Sequence, residues 1–218
     1  MKHFFYRRYG KRIFDCCFAL SVLMVLWPLL LGLAGLIRVI LGSGVVFGQR
    51  RPGLDEKIFT IFKFRTMTNE RDENGDLLPD ERRLRPLGAF LRKSSLDELP
   101  ELINILRGEM SLVGPRPLLP EYLPYYTNRE RLRHSVRPGI TGLAQVSGRN
   151  YLPWDERLEV DVRYVEKLSF ALDVKIILRT VAQVIRAKNV AVVPEKASPY
   201  LSQYRENKKL IEVEKGEG

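Results

Sequence analysis

The 218-residue sequence contains few of the side chains that build disulfide frameworks or metal centres. Its two cysteines, Cys16 and Cys17, are adjacent in an apolar segment, so they support neither a disulfide framework nor a cysteine-metal site. The two histidines, His3 and His134, lie far apart and give no zinc-type ligand cluster. The sequence also has no recognition-helix, zinc-finger or RNP-like aromatic motif, and we therefore expect no nucleic-acid partner.

Acidic residues are fewer than basic ones. The chain has 26 Asp and Glu against 36 Lys and Arg, which gives a formal net charge of +10 and a pI near 9.7. A surface of this sign attracts anions, which include phosphorylated substrates and acidic lipid headgroups. The length fits one compact domain and a membrane element, because a domain takes about 100–200 residues.

One long segment contains no charge at all. It runs for 22 residues from Cys16 to Ile37, close to the ~20 that a membrane-spanning helix needs. Pro28 near its middle favours a kink, and Trp27 beside it prefers the membrane interface. We therefore expect a helix–break–helix hairpin that enters and leaves one leaflet, with both ends cytoplasmic. A single spanning helix, a signal peptide and a buried core helix are the alternatives. The basic residues that flank the segment are Lys2, Arg7, Arg8, Lys11, Arg12, Arg38, Arg50 and Arg51.

The residues after this segment predict a β-hairpin. Val45–Gln49 is a short apolar run, Arg51–Asp55 has turn chemistry, and Lys57–Arg65 alternates with period two. Lys63 and Arg65 then share one face of the second strand and could bind an anion together. An ordinary solvated strand end would give the same pattern. A short basic amphipathic helix is predicted at 82–93.

The next predicted helix begins with two adjacent carboxylates. Pro100 is tolerated only in a first turn, so the helix is expected to start near Asp97. Asp97 and Glu98 then lie at the positive end of the helix dipole, which stabilises their ionised forms. An ionised aspartate suits a nucleophile, and a neighbouring glutamate suits a divalent cation held against a phosphate. Helix capping explains the same residues, because Ser95–Glu98 fits a capping box. The residues of the apolar face are Leu99, Leu102, Ile103, Leu106 and Met110.

Two glycine-rich turns each present an arginine. Gly114–Pro117 places Arg116 between two prolines, and Arg137–Gly142 begins with Arg137. Guanidinium groups match phosphate oxygens, and glycine allows backbone amides to approach an anion closely. Further on, residues 173–188 predict an amphipathic helix that would lie on the membrane surface or pack on the domain core.

Six motifs, taken in their order along the chain, closely resemble those of the bacterial monotopic phosphoglycosyl transferases, also called bacterial sugar transferases. The resemblance covers approximately residues 11–188 and is greatest to short members that initiate bacterial N-linked or other surface glycans. The motifs are Lys11–Asp15, Gln49–Gly53, Phe62–Met67, Ser95–Leu99, Ser111–Pro117 and Arg137–Val146.

The resemblance implies an α/β fold at the cytoplasmic face of the bacterial inner membrane. We expect a basic N-terminus with a re-entrant membrane helix at 1–41, a small mixed α/β catalytic domain with amphipathic interfacial helices at 42–190, and a variable, partly flexible tail at 191–218. Family members often have Ser-Pro at the break of the helix, whereas this chain has Trp27-Pro28.

The resemblance also implies the activity, in which a sugar phosphate passes from a UDP-sugar to polyprenol phosphate and UMP is released. Asp97 would be the nucleophile and Glu98 a Mg²⁺ ligand. We expect an N-acetylated amino sugar as the sugar, and the oligomeric state stays open. A non-catalytic membrane scaffold and a membrane phosphohydrolase are the alternatives. The expected substrate contacts are Pro115, Arg116 and Pro117 for the nucleotide, and Lys63, Arg65, Arg92 and Arg137 for the diphosphate or the lipid phosphate.

Overall fold

Helices outnumber strands in the computed structural model, which describes residues 5–148, 152–185 and 200–216. A π-helical turn at Tyr6–Gly10 leads into the first helix. The helices are α1 (Lys11–Ile40), α2 (Asp80–Arg83), α3 (Pro86–Ser94), α4 (Glu101–Arg107), α5 (Asn128–Arg131), α6 (Leu143–Ser147), α7 (Trp154–Lys167), α8 (Phe170–Ile185) and α9 (Leu201–Gly216). The strands are β1 (Val46–Pro52), β2 (Ile58–Phe64), β3 (Ser111–Val113) and β4 (Gly139–Thr141). This confirms a mixed α/β fold with small sheets.

The predicted hairpin is present as the antiparallel pair β1–β2. Strand β1 continues to Pro52, three residues beyond its predicted end at Gln49, so the turn lies later than expected. The turn closes where Gly53 N–H donates to the Lys57 carbonyl at 2.8 Å. Arg51 pairs with Phe59 in the register, which places both residues on one face of the hairpin.

The second sheet joins the two glycine-rich turns. Strands β3 and β4 are parallel, with Ser111 opposite Gly139 and Val113 opposite Thr141. A Cβ on Gly139 would lie 2.1 Å from the Gly114 nitrogen, so only glycine permits this approach. The pairing places the Gly114–Pro117 turn beside the chain that leaves β4.

The helix predicted at 82–93 is two helices, because Pro86 begins α3 and disfavours helical conformation at the preceding residue. Helix α3 ends at Ser94, and the capping residue Ser95 adopts the left-handed conformation with φ of 57°. The expected helix start near Asp97 is also corrected. Residues Leu96–Glu98 form a 3₁₀ turn, and α4 begins only at Glu101. Neither this 3₁₀ turn nor α4 has a side-chain capping hydrogen bond at its start, so the capping interpretation is wrong.

Helix α1 is long and apolar, and it continues through Pro28. The predicted interruption is therefore corrected, since one proline removes a single hydrogen bond and need not end a helix. The stretch Tyr6–Ile40 passes the length and hydropathy criteria for a membrane span, and only 11% of its most apolar window is buried. This low burial argues against a core helix.

Both ends of α1 nevertheless contact the same domain. Near its start, Lys11 Nζ donates to Asp173 Oδ2 of α8 at 2.6 Å, and Ser111 Oγ of β3 donates to Asp15 Oδ2 at 2.7 Å. Near its end, Ile37 packs in a cluster that includes β2 and α3 side chains. The members of this second cluster are Leu33, Ile37, Leu41, Phe64 and Leu91.

Helix α8 has features of both arrangements predicted for residues 173–188, namely packing on the domain core and an exposed apolar surface. Ile176 is buried in the main core, whereas Leu178, Val181 and Ile185 are exposed. Arg186 and Lys188 of the predicted amphipathic segment, and the boundary predicted at 190, lie outside the described residues. Within the predicted flexible tail, α9 begins with the fully buried Leu201, which packs on an aromatic cluster.

Candidate active site

Asp97 and Glu98 lie on a short turn that is anchored on both sides. Leu96 packs against the second cluster, and Leu99 packs against the main core. The left-handed Ser95 reverses the chain direction after α3 and begins this turn. Both carboxylates line a cavity of about 920 Å³.

Glu98 is held by two cations from different parts of the fold. Its Oε1 accepts from Lys63 Nζ at 2.7 Å and from Arg116 Nη2 at 2.8 Å. Burial acts to raise the pKa of Glu98, but the charges of Arg116 and Lys63 outweigh it and hold the pKa below its usual value. The sequence-predicted residues Lys63, Glu98 and Arg116 therefore meet in space.

Asp97 has a different environment from its neighbour. Among the described residues, no hydrogen bond or ion pair engages its carboxylate. Burial, followed by the negative charge of Glu98, raises the pKa of Asp97 to about 6, although Lys63, Arg116 and Arg92 act in the opposite direction. Such a carboxylate is ionised at neutral pH and is free to attack an electrophile.

Glu101 belongs to the same group of charges, although the sequence did not single it out. Its side chain is 3% exposed and lies 3.1 Å from Lys63 Nζ. Burial raises its pKa to about 7. Its position at the first residue of α4 gave no sequence signal beyond an ordinary acidic first turn.

Most of the sequence-predicted cations also line the cavity. Arg65 and Arg92 do so, and Arg92 Nε donates to Thr66 Oγ1 at 3.0 Å. Pro115 and Pro117 flank Arg116 and line a small adjoining crevice instead. Arg137 is not among the lining residues, because its Nε donates to the Gly108 carbonyl at 2.7 Å.

A buried ion pair supports the Arg116 turn from behind. Arg133 is fully buried and donates through Nη2 to Asp161 Oδ2 at 2.8 Å and to the Arg116 carbonyl at 2.7 Å. Sequence reasoning missed this pair because 28 residues separate its members and each resembles a surface charge.

The two carboxylates are compatible with a magnesium site in which phosphate oxygens of the substrate supply further ligands. No group of three His, Cys, Asp or Glu side chains within the described ranges is placed to hold a metal ion. Mg²⁺, however, is commonly bound by one or two carboxylates together with substrate phosphates. Glu98, with Asp97 beside it, supplies the required oxygen chemistry, and both of its recorded hydrogen bonds use Oε1.

Paired carboxylates among lysine and arginine side chains in a cavity suit the binding of a phosphorylated substrate, because these cations form charge-assisted hydrogen bonds with phosphate oxygens. Comparison with known proteins identifies the family. The bacterial sugar transferase model matches residues 6–187, and the chain belongs to this family of enzymes. The resemblance inferred from the six motifs is confirmed, and the non-catalytic scaffold is excluded.

Relatives include both short and long proteins. The uncharacterized sugar transferase EpsL of Bacillus subtilis (strain 168) is 51% identical over 180 residues, which are 83% of this chain and 89% of EpsL. The exopolysaccharide production protein ExoY of Rhizobium meliloti (strain 1021) is 39% identical over 192 residues, 80% of this chain and 85% of ExoY. The UDP-glucose:undecaprenyl-phosphate glucose-1-phosphate transferase of Xanthomonas campestris pv. campestris is 40% identical over 191 residues, 82% of this chain but 39% of that protein.

Proposed function

We propose that this enzyme transfers a sugar 1-phosphate from a UDP-sugar to undecaprenyl phosphate and thereby initiates the assembly of a bacterial polysaccharide or other glycoconjugate. The observation that carries the proposal is Asp97, an unpaired and largely buried carboxylate beside the Lys63–Glu98–Arg116 group. The names of relatives support the same substrates, since the Xanthomonas protein is named for undecaprenyl phosphate and a UDP-sugar.

The chemistry follows from the position of Asp97. A carboxylate oxygen attacks the sugar-bearing phosphorus, so an O–P bond forms to Asp97 and the bond to the bridging oxygen breaks. UMP leaves with that oxygen and its electron pair. An oxygen of undecaprenyl phosphate then attacks the same phosphorus, and the Asp97–phosphorus bond breaks. The products are polyprenyl-diphosphate-sugar, UMP and the regenerated carboxylate.

The cations around the carboxylates have a clear electrostatic task. A carboxylate is repelled by a diphosphate unless nearby positive charges offset the repulsion. Lys63 and Arg116 are already fixed by Glu98, and Arg92 and Arg65 line the same cavity. Pro115 and Pro117 make the Arg116 turn rigid and would contact the nucleotide. Arg137 keeps its predicted phosphate role only if its bond to Gly108 is exchanged for substrate.

Glu98, with Asp97 adjacent, would hold Mg²⁺ against the substrate diphosphate. Bound there, the ion would neutralise negative charge that opposes attack. Glu98→Gln should therefore reduce turnover and increase the Mg²⁺ concentration that half-saturates the reaction, because a neutral amide binds a hard cation less well. A wild-type Mg²⁺ titration in this variant would assign the metal to other residues.

The packing of α1 favours the re-entrant topology. A helix that crosses the bilayer must carry one end through about 30 Å of hydrocarbon to the opposite aqueous phase. Here Lys11 at the start and Ile37 near the end both pack on the same domain. The exposed apolar residues between them, such as Met24 and Trp27, would face lipid. We infer a monotopic enzyme at the cytoplasmic face of the bacterial inner membrane, where both substrates can be reached.

The identity of the sugar is best approached through the relatives. Their names mention glucose and galactose, as in the Salmonella typhimurium (strain LT2) undecaprenyl-phosphate galactose phosphotransferase, which is 35% identical over 196 residues. UDP-glucose and UDP-galactose are therefore the first donors to assay. The N-acetylated amino sugar expected from the sequence stays a prediction, to be assayed with the corresponding UDP-sugars.

The deciding experiment uses the purified full-length protein in detergent with Mg²⁺ and individual UDP-sugars. We expect UMP to form catalytically only when undecaprenyl phosphate is present, together with a lipid-linked diphosphosugar. Without the lipid, one equivalent of phosphosugar should become attached to the protein. Continuous UMP formation without lipid would establish a phosphohydrolase instead, and absence of UMP with every sugar nucleotide would refute the proposal.

A further inference from the structure

Arg51 on β1 and Arg157 on α7 line the active-site cavity, and neither has a carboxylate partner within 4.0 Å among the described residues. By contrast, Lys63 and Arg116 share Glu98, and Arg133 is paired with Asp161. Arg65 donates to the Ser43 carbonyl. Two half-buried positive charges in the same cavity therefore have no direct ion-pair partner among the described residues.

Arg51 faces the cavity because of its position in the hairpin. Side chains alternate along a strand, so Gln49 and Arg51 share a face while Arg50 projects from the other. Arg51 hydrogen-bonds to a neutral group, with Nη2 donating to Gln49 Oε1 at 2.6 Å. Burial, and then the nearby charge of Arg116, lower the pKa of Arg51 to about 10.

Arg157 approaches from the first turns of α7. Its guanidinium carbon lies 4.5 Å from the centre of the Trp154 ring, and its Nη2 donates to the Leu152 carbonyl at 3.3 Å. Its buried Nε has no hydrogen-bond partner. Asp161 is close enough to act on its charge, but that carboxylate is already bound by Arg133. The burial of Arg157, together with the charges of Arg116 and Arg133, lowers its pKa.

These contacts favour the binding of an anion. Burial penalises a cation, and neighbouring cations repel it, unless an anion offsets both effects. Arg51, Arg116 and Arg157 all line one cavity, and the charge of Arg116 acts on both of the others. Planar guanidinium groups bind phosphate oxygens through two parallel hydrogen bonds. A ligand that carries two negative charges would match the two unpaired arginines.

We propose that Arg51 and Arg157, next to Arg116, form a subsite for a phosphate monoester dianion, distinct from the phosphorus that Asp97 attacks. This inference rests on the proposed function and deepens it. Two phosphate monoesters take part in that reaction, namely the departing UMP and the incoming undecaprenyl phosphate. In-line displacement places the leaving and the attacking oxygen opposite Asp97 in turn. One subsite therefore suits either phosphate.

The test compares phosphorylated probes with their unphosphorylated counterparts. Full-length Arg51→Gln, Arg157→Gln and the double variant are prepared in detergent, and binding of UMP, uridine, farnesyl phosphate and farnesol is measured directly. We expect each single substitution to weaken phosphate-probe binding by about tenfold, since it removes a charge-assisted hydrogen bond. Binding of uridine and farnesol should not change.

Matched controls remove the same charge from the same elements. Arg50→Gln lies on the opposite face of β1, and Arg163→Gln lies on the exposed side of α7. Both should bind all four probes like the wild type. An equal loss in these controls would overturn the subsite, because it would show a general effect of net charge.

The two phosphate probes distinguish the ligand. Weaker binding of UMP alone would identify the leaving group as the occupant, weaker binding of farnesyl phosphate alone would identify the lipid, and weaker binding of both would identify shared use. Unchanged binding of both in the folded double variant would overturn the proposal. Because binding is measured without turnover, this result is separate from the wild-type transfer assay on which the proposed function depends.

Discussion

At the scale of single residues, Asp97 and Glu98 are adjacent in sequence but have opposite electrostatic states. Glu98 is neutralised by two cations, whereas Asp97 has no ion pair among the described residues. We predict that Asp97→Asn abolishes UMP release while the melting temperature stays close to that of the wild type, since an amide is a poor nucleophile and no native contact is lost. Near-normal turnover by a folded variant would refute the nucleophile role.

The raised pKa of Asp97 predicts an acid limb in the pH profile. Below about pH 6 its carboxyl is protonated and unreactive, so UMP release should fall as the pH decreases through that value. The positive charge of Arg92 lowers this pKa, and Arg92→Gln should therefore move the limb to higher pH. The measurement is single-turnover UMP release between pH 5 and 8. An unchanged pH midpoint of UMP release in Arg92→Gln would contradict the inference that Arg92 lowers the pKa of Asp97.

At the scale of elements, local sequence rules succeeded where one chain segment determines the outcome. Period-two alternation predicted the β1–β2 hairpin and the shared face of Lys63 and Arg65. The rules failed where distant segments meet. The left-handed Ser95 and the late start of α4 were missed, because the capping box matched in sequence only. The inward-facing Arg51 could have been found from the same alternation.

The buried pair of Arg133 with Asp161 of α7, which supports the Arg116 turn, provides a prediction at this scale. Arg133→Gln leaves the nearly fully buried Asp161 without its partner, and loss of one member of a buried ion pair costs about 3–5 kcal/mol. The exposed pair of Arg129 with Glu159 is the matched control, and Arg129→Gln should destabilise the protein far less, because solvent screens exposed charges. Chemical denaturation in detergent measures both. Equal losses of unfolding free energy in the two variants would contradict the prediction that breaking the buried pair costs more than breaking the exposed one.

At the scale of the whole molecule, the main question is how one enzyme reaches a soluble nucleotide and a lipid phosphate in the same cavity. Phe18 and Val22 of α1 line that cavity together with Asp97, so the long apolar helix forms part of the cavity wall. Exposed apolar residues on α8, Leu178 and Val181, extend the surface that can contact lipid. The acceptor phosphate can thus approach the carboxylates from the membrane side. Because both ends of α1 also contact this domain, the domain and both ends of α1 must occupy the same side of the bilayer.

That requirement can be tested with single cysteines in a variant that lacks Cys16 and Cys17. Cysteines placed at residues 5 and 50 flank α1, and both should resist a membrane-impermeant thiol reagent in intact cells and react once the membrane is opened. Pro28→Leu restores the missing backbone donor and permits a straighter helix, which is long enough to span. We expect this change to expose part of the residue-5 population to the external reagent if Pro28 is the main determinant of the topology. External labelling of residue 5 with Pro28 intact would refute the re-entrant topology, because the contacts of Lys11 and Ile37 with one domain could not then coexist.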